Sequence, residues 1–323
     1  MVKLADIAQA ANVSMASVSY AFSSDPGKRK KLSSATLARI LKIAADMDYS
    51  PNWTARAFAQ QKSYNIALLM PERCASGMSR HYLGIFHGVS AAVEESEYNL
   101  SVFFGCGHKL HSNIQQGRID GVLVIARRDE SAVFPAIAQL KMPTIFLNRT
   151  APACCLNAGS CVSDYRTWLT EVVQKFVRHK LKKCTLFYRK NRSSDQFICC
   201  ICRELCCHYN LDISVVSCND FTGISDDQKG SGYIFCGSSP GIIAALAGRS
   251  DVDYAMLASP EINSRHGFIQ KNLYYHDSVN IGRNGVQMLL DMIEKNTPAD
   301  CRQLPLLQAN TAEDLIENAD FEF

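Results

Sequence analysis

Four consecutive cations, Lys28, Arg29, Lys30 and Lys31, stand in a segment where residues 1–63 hold nine Lys or Arg against four Asp. The formal net charge of the 323-residue chain is only +3. Positive charge gathered at one end of a near-neutral body is the electrostatic footprint of a module that meets a polyanion. Just upstream, Ser14, Met15, Ala16, Ser17 and Tyr20 gather hydroxyls, apolar groups and a phenol in seven residues. Hydroxyls suit phosphate oxygens, Met15 and Ala16 suit thymine methyl groups, and the Tyr20 hydroxyl suits a base edge or a phosphate. A second suggestive group is Cys199, Cys200, Cys202, Cys206, Cys207 and His208, where 199, 202 and 206 share one helix face. Soft-metal binding or redox sensing would need such thiols. Small apolar side chains on a buried helix face would also explain them, and that reading is favoured because cysteine is among the most buried residue types.

Other chemistry finds less support. The chain has no GxSxG, no HExxH, no phosphate-loop glycine pattern and no paired CxxC, so an enzyme is not expected and no cofactor or metal is implied. No apolar stretch is long enough for a membrane helix, and the first residues lack an apolar run with a cleavage site, which predicts a cytoplasmic protein without a membrane partner. The fourteen cysteines are then reduced thiols rather than a disulfide framework. A composition of 47% hydrophobic and 20% charged residues fits an ordinary globular chain, long enough for two domains and a smaller module.

The elements that position the first group follow from apolar spacing. Leu4, Ile7, Ala8 and Ala11 form one face of a short helix, Asn12-Val13 breaks it, and Ser14 is a good N-cap for a second helix from Met15 to Phe22 with Val18 turned inward. Two short helices with a tight turn make a helix-turn-helix. A loop carrying Asp25-Pro26-Gly27 and the basic run follows, and Ser33 is placed to cap a third helix bearing Leu37, Ile40, Leu41 and Ala44. Beyond Ser63, apolar runs at 65–70, 100–104, 121–125, 144–147, 184–188, 213–216, 232–236 and 254–258 alternate with helical patterns near 83–97, 131–140, 164–179, 196–209, 240–248 and 279–295. That alternation predicts an α/β architecture with parallel sheets.

The strings KLADIAQAANVSMASVSYAF and LSSATLARILKIAADMDYSPNWTARAFAQQKS resemble the headpiece and hinge of the lactose-repressor (LacI/GalR) family almost position by position. The resemblance implies base reading by Met15, Ala16 and Tyr20, and a hinge helix over Asn52 to Gln60. Paired hinges would press Phe58 into the minor groove while Ala55 permits close approach, with Trp53 as packing. Ser14, Ser17, Ser33 and Asn52 complete the expected DNA-contacting set with the Lys28–Lys31 run.

The family pattern continues through Tyr82 with Gly88, Ile119 to Val124, Pro143 to Arg149, and Gly282, while the stretch near 105–117 looks shortened and Thr311–Phe323 matches nothing. It implies a periplasmic-binding-protein-like core of two subdomains, one of about 64–161 and 277–304, the other of about 162–276 and 305–323, after a headpiece of 1–50 and a hinge of 51–63. An effector cleft between them would hold His81, Tyr82, Asn148, Arg149, Asp164, Phe197, Ser238 and His276. The resemblance further implies a repressor that binds a palindromic operator as a homodimer and answers to a small molecule. Phe197 and Gly237-Ser238 stand where the family has an arginine and an Asn-Asp pair, so an ordinary hexose is not expected as effector. Two alternatives remain at this point: a thiol- or metal-responsive DNA-binding regulator using Cys199–Cys207, and a solute-binding protein.

Overall fold

The first helix of the chain, α1 (Leu4–Ala10), is capped by Ala11 and followed by Asn12, whose φ of 50° lies in the left-handed region that asparagine tolerates. Helix α2 (Met15–Ala21) begins under Ser14, whose Oγ accepts from the Ser17 backbone N–H at 3.1 Å. Helix α4 (Ser34–Asp46) begins in the same way, with Ser33 Oγ accepting from Thr36 N–H at 3.2 Å. Each such cap contributes about 1 kcal/mol. Ile7, Val18, Ala21 and Ile40 are fully buried where these helices meet, with Ala8, Ala11 and Ala44 beside them. Two expectations are corrected. Leu41 is 43% exposed, because Leu37, Ile40 and Ala44 already form the inward stripe and Leu41 falls beside it. The expected loop contains a helical turn, α3 (Pro26–Arg29), whose first residue has the φ a helix start requires.

This computed structural model describes residues 2–23, 26–49, 57, 60–105, 108–125, 142–190, 192–224, 230–246, 249, 251–258 and 272–309. Asn52, Trp53, Ala55 and Phe58, the helical pattern at 131–140 and the tail Thr311–Phe323 lie outside them. The chain separates into two compact units, Met1–Ser63 and Tyr64–Phe323.

The second unit is α/β, as its alternation predicts. One sheet runs β11-β5-β4-β3-β1-β2, with β1 (Asn65–Met70), β2 (Asn99–Phe104), β3 (Gly121–Val124), β4 (Thr144–Leu147), β5 (Ala158–Ser163) and β11 (Cys301–Leu304), all parallel. The other runs β12-β10-β9-β8-β6-β7, with β6 (Lys183–Tyr188), β7 (Asp212–Ser217), β8 (Ser231–Phe235), β9 (Asp253–Leu257), β10 (Leu273–Tyr275) and an antiparallel edge strand β12 (Leu307–Ala309). The chain leaves the first sheet after Ser163, returns after Tyr275 and leaves again between Leu304 and Leu307.

Between strands run α5 (Arg80–Glu94), α6 (His108–Gln115), α7 (Tyr165–Arg178), α8 (Ser193–His208), α9 (Pro240–Leu246) and α10 (Ser278–Lys295). Helices α5 and α10 pack backbone to backbone. A Cβ on Gly88 would lie 2.0 Å from the Val279 carbonyl oxygen, and one on Gly282 would lie 2.3 Å from that of Ile85. Only glycine permits this approach. It brings the first turns of the two helices together, where His81 and Ser278 sit.

Candidate nucleic-acid interface and cleft

On the helix-turn-helix unit, α2 turns Val18 and Ala21 inward and leaves its other side open. Met15 is 59% exposed, Ala16 is exposed, and Tyr20 is half-buried with the Lys31 ammonium 5.4 Å from its ring centroid. That cation–π contact joins the basic run to the outward face of α2. Lys28, Arg29 and Lys30 are exposed on α3 and the turn after it. Ser14 and Ser33 are exposed but serve as caps, and Ser17 Oγ lies 3.0 Å from Ser14 Oγ. The sequence-expected surface thus gathers apolar, phenolic and cationic groups on neighbouring elements of one small unit.

In the larger unit, candidate residues collect beyond the carboxyl ends of strands, where open α/β sheets bind ligands. Asn148 follows β4 with φ at 57°, and its Nδ2 lies 2.7 Å from His81 Nε2. His81 Nδ1 lies 2.7 Å from Ser278 Oγ, and Ser278 Oγ donates to the His276 carbonyl. The His81 and His276 ring centroids are 4.9 Å apart, and His276 Nδ1 lies 2.8 Å from Ser163 Oγ. Tyr165 meets His276 edge-on at 5.9 Å and Phe197 at 6.4 Å. The buried Asn148 Oδ1 has no hydrogen-bond partner among the described residues. Tyr82 accepts from Arg73 Nη2 at 3.3 Å, and Arg149 is half-buried, with burial lowering its pKa.

The remaining candidates are differently placed. Asp164 caps α7, accepting from Thr167 N–H at 3.0 Å and Thr167 Oγ1 at 2.6 Å, so its carboxylate is engaged in helix initiation. Phe197 is 56% exposed. Ser238 is half-buried in the turn between β8 and α9.

Sequence reasoning missed an ion pair beside these groups. Asp195, fully buried in the first turn of α8, accepts from Arg189 N–H at 3.0 Å, Arg189 Nε at 2.8 Å and Arg189 Nη2 at 3.0 Å. Arg189 also donates to the Cys236 carbonyl. Gly237 makes room for this, since a Cβ there would lie 2.8 Å from Arg189 Nη1. The available signal was an arginine immediately after an apolar strand, with an aspartate opening the next helix.

Burial, with His81, Arg189 and Arg192 nearby, holds His276 well below the ordinary 6.5. The unfolded chain therefore takes up a proton that the folded state refuses. His276 contributes stability that is fully present above pH 6.5 and is lost as pH falls toward its folded pKa. Thermal melts on the acid side of pH 6.5 should show the melting temperature dropping with pH, and His276→Gln should flatten that slope; equal slopes would refute the assignment.

The cysteine segment lies on α8. Cys199, Cys202 and Cys206 face inward, whereas Cys200, Cys207 and His208 are exposed. The strand residue Cys184 joins Cys202 and Cys206, the three Sγ atoms lying within 4.8 Å of one another. Contacts with Cys202 and Cys206, together with burial, push the Cys184 thiol well above the ordinary thiol value.

Residues 3–52 match the family described as bacterial regulatory proteins, lacI family. The probable HTH-type transcriptional repressor ExuR of Bacillus subtilis (strain 168) is 30% identical over 150 residues, covering 46% of this chain and 44% of the relative. The HTH-type transcriptional regulator MalR of Streptococcus pneumoniae is 23% identical over 155 residues, covering 46% of each. The chain thus spans less than half the length of these curated relatives. Among solved structures, the Lac repressor bound to ONPG in its repressed state aligns over 95% of this chain and 98% of its own, with 15% identity and a TM-score of 0.61. The regulator CelR in complex with cellobiose aligns over 96% and 98%, with 15% identity and a TM-score of 0.57. The expected fold, a helix-turn-helix headpiece followed by a periplasmic-binding-protein-like core, is the one these structures share.

Proposed function

We propose that this chain, whose headpiece belongs to the lacI family of bacterial regulatory proteins, represses transcription by binding a palindromic operator as a homodimer. The observation that carries the reading is the outward face of α2, where Met15 is 59% exposed and Lys31 lies on the ring of Tyr20. A large exposed apolar side chain beside a cation-bearing phenol is poorly explained by folding alone and well suited to a major groove rimmed by phosphates. Twofold pairing of headpieces would read two half-sites. A Lac repressor structure contains a dimer on its operator with an anti-inducer, which supports the analogy. The protein would act in the cytoplasm; no helix among the described residues is long and apolar enough to cross a membrane.

The cleft would bind a small effector whose occupancy alters operator affinity, a coupling of about 1–3 kcal/mol in such systems. The His81 and His276 rings lie against each other with the buried Tyr165 edge-on to His276, and Phe197 is exposed beside Tyr165. Arg189 is tied to Asp195. A ligand flatter and less hydroxylated than a hexose fits that lining.

Two substitutions test the headpiece. Tyr20→Ala should cost about 1–3 kcal/mol of discrimination between a selected operator and mismatched DNA. Replacing Lys28, Arg29, Lys30 and Lys31 with glutamine should weaken all DNA alike, reducing the logarithmic salt slope by roughly one for each phosphate no longer neutralised. An unchanged salt titration would defeat the phosphate-binding role. The hinge gives a third test: Phe58→Ala should leave the melting temperature unchanged and abolish most operator bending, because no wedge remains to hold an unstacked base step. Unchanged bending with a lowered melting temperature would make Phe58 a packing residue instead.

A further inference from the structure

We propose that Cys184, Cys202 and Cys206 form a buried three-sulfur pocket for a trivalent thiophilic metalloid of the arsenic(III) class. Strand β6 supplies the first sulfur, and successive turns of α8 supply the others. Cys202 and Cys206 Sγ are 4.0 Å apart, all three Sγ atoms lie within 4.8 Å of one another, and all three residues are fully buried. The spacing allows one atom to bond all three sulfurs after a small contraction.

Charge decides which atom. Leu169, Val173, Phe176, Leu186, Ile198 and Ile234 belong to the same apolar core. Three thiolates around monovalent copper would carry a charge of −2, and around divalent zinc a charge of −1, which a core of this kind disfavours. Three thiolates around trivalent arsenic are neutral. The reaction is neutral throughout as well: As(OH)3 and three thiols give As(SR)3 and three waters. Three As–O bonds break, three As–S bonds form, each thiol proton leaves in a water molecule, and arsenic keeps its oxidation state. No thiolate needs to persist in the apolar interior, so the raised thiol pKa of Cys184 is no obstacle.

The test uses the full chain, fully reduced, incubated with arsenite through a brief mild-denaturant pulse that loosens α8, then refolded and desalted. Native mass spectrometry should find one arsenic per chain, with a mass gain of arsenic less three hydrogens. X-ray absorption should find sulfur neighbours and no oxygen. Cys184→Val, Cys202→Val and Cys206→Val should each lower retention at least tenfold, and the three variants guard against any one failing to fold. A Cys200→Ser/Cys207→Ser double variant, altering only exposed thiols of the same helix, should retain arsenic as the parent does. The proposal is overturned if the parent chain retains none, if retention follows Cys200 and Cys207, if an oxygen ligand remains, or if zinc is retained in preference to arsenic.

Discussion

Replacing Asp195 with alanine should destabilise the larger unit by about 3 kcal/mol, the low end of what breaking a buried ion pair costs. The low end applies because the Arg189 side chain is 35% exposed and water can solvate part of it, whereas Asp195 is fully buried. What the alanine leaves behind sets the cost: a guanidinium and the Arg189 backbone N–H are deprived of their acceptor together. Asp195→Asn keeps an acceptor for that N–H while removing the charge, so it should fall between. Removing Glu204 from its bidentate pairing with Arg166 should leave the denaturation midpoint unmoved, since both side chains are largely in solvent. Urea titrations of the three variants decide the matter. Equal midpoints for Asp195→Ala and Glu204→Ala would show that the buried pair contributes no more than a surface one.

Gly88→Ala should do still more harm. Its Cβ would stand 2.0 Å from the Val279 carbonyl oxygen and 2.8 Å from the carbonyl carbon, and neither is a side chain that can turn away. Helices α5 and α10 would have to separate, costing about 3 kcal/mol or more, the upper range for overpacking. In a unit of this size that lowers the melting temperature by roughly 6–12 °C. The separation also pulls His81 from Ser278, now joined at 2.7 Å, so the polar chain of the cleft should break as stability falls. Gly282→Ala should behave alike, its Cβ lying 2.3 Å from the Ile85 carbonyl oxygen. Gly241→Ala meets nothing within 4 Å and serves as the control, neutral or slightly stabilising. A Gly88→Ala protein that melts with the Gly241→Ala control would mean that the helices tolerate a wider separation.

Headpiece elements were legible because their signals are local. The stripe of Ile7, Ala8 and Ala11 and the caps Ser14 and Ser33 act within a turn or two, so composition at fixed spacing fixes them. Leu41 misled because the stripe of a helix is bounded by its neighbours, and periodicity alone does not say where that boundary falls. Central strands such as β1 and β3, continuous runs of apolar residues, declared themselves. Strand β5, reading Ala-Gly-Ser-Cys-Val-Ser, did not. It is a strand because β4 and β11 hydrogen-bond it on both sides, a long-range fact that outweighs its composition. β11 and β12 lie at sheet edges and are short, with little burial to mark them.

By itself, then, the sequence determined what depends on near neighbours: the helix-turn-helix, the α/β alternation, and which residue types stand at the ends of strands. The tertiary structure decided which of those residues meet. Glycine-to-backbone contact between α5 and α10 sets His81 beside Ser278, though 197 positions separate them. Arg189 is turned onto Asp195 and the Cys236 carbonyl in the space Gly237 leaves. Cys184 reaches Cys202 and Cys206 only because α8 lies across β6. Such meetings are set by packing between distant segments, and hydrophobic spacing along a chain carries no record of them.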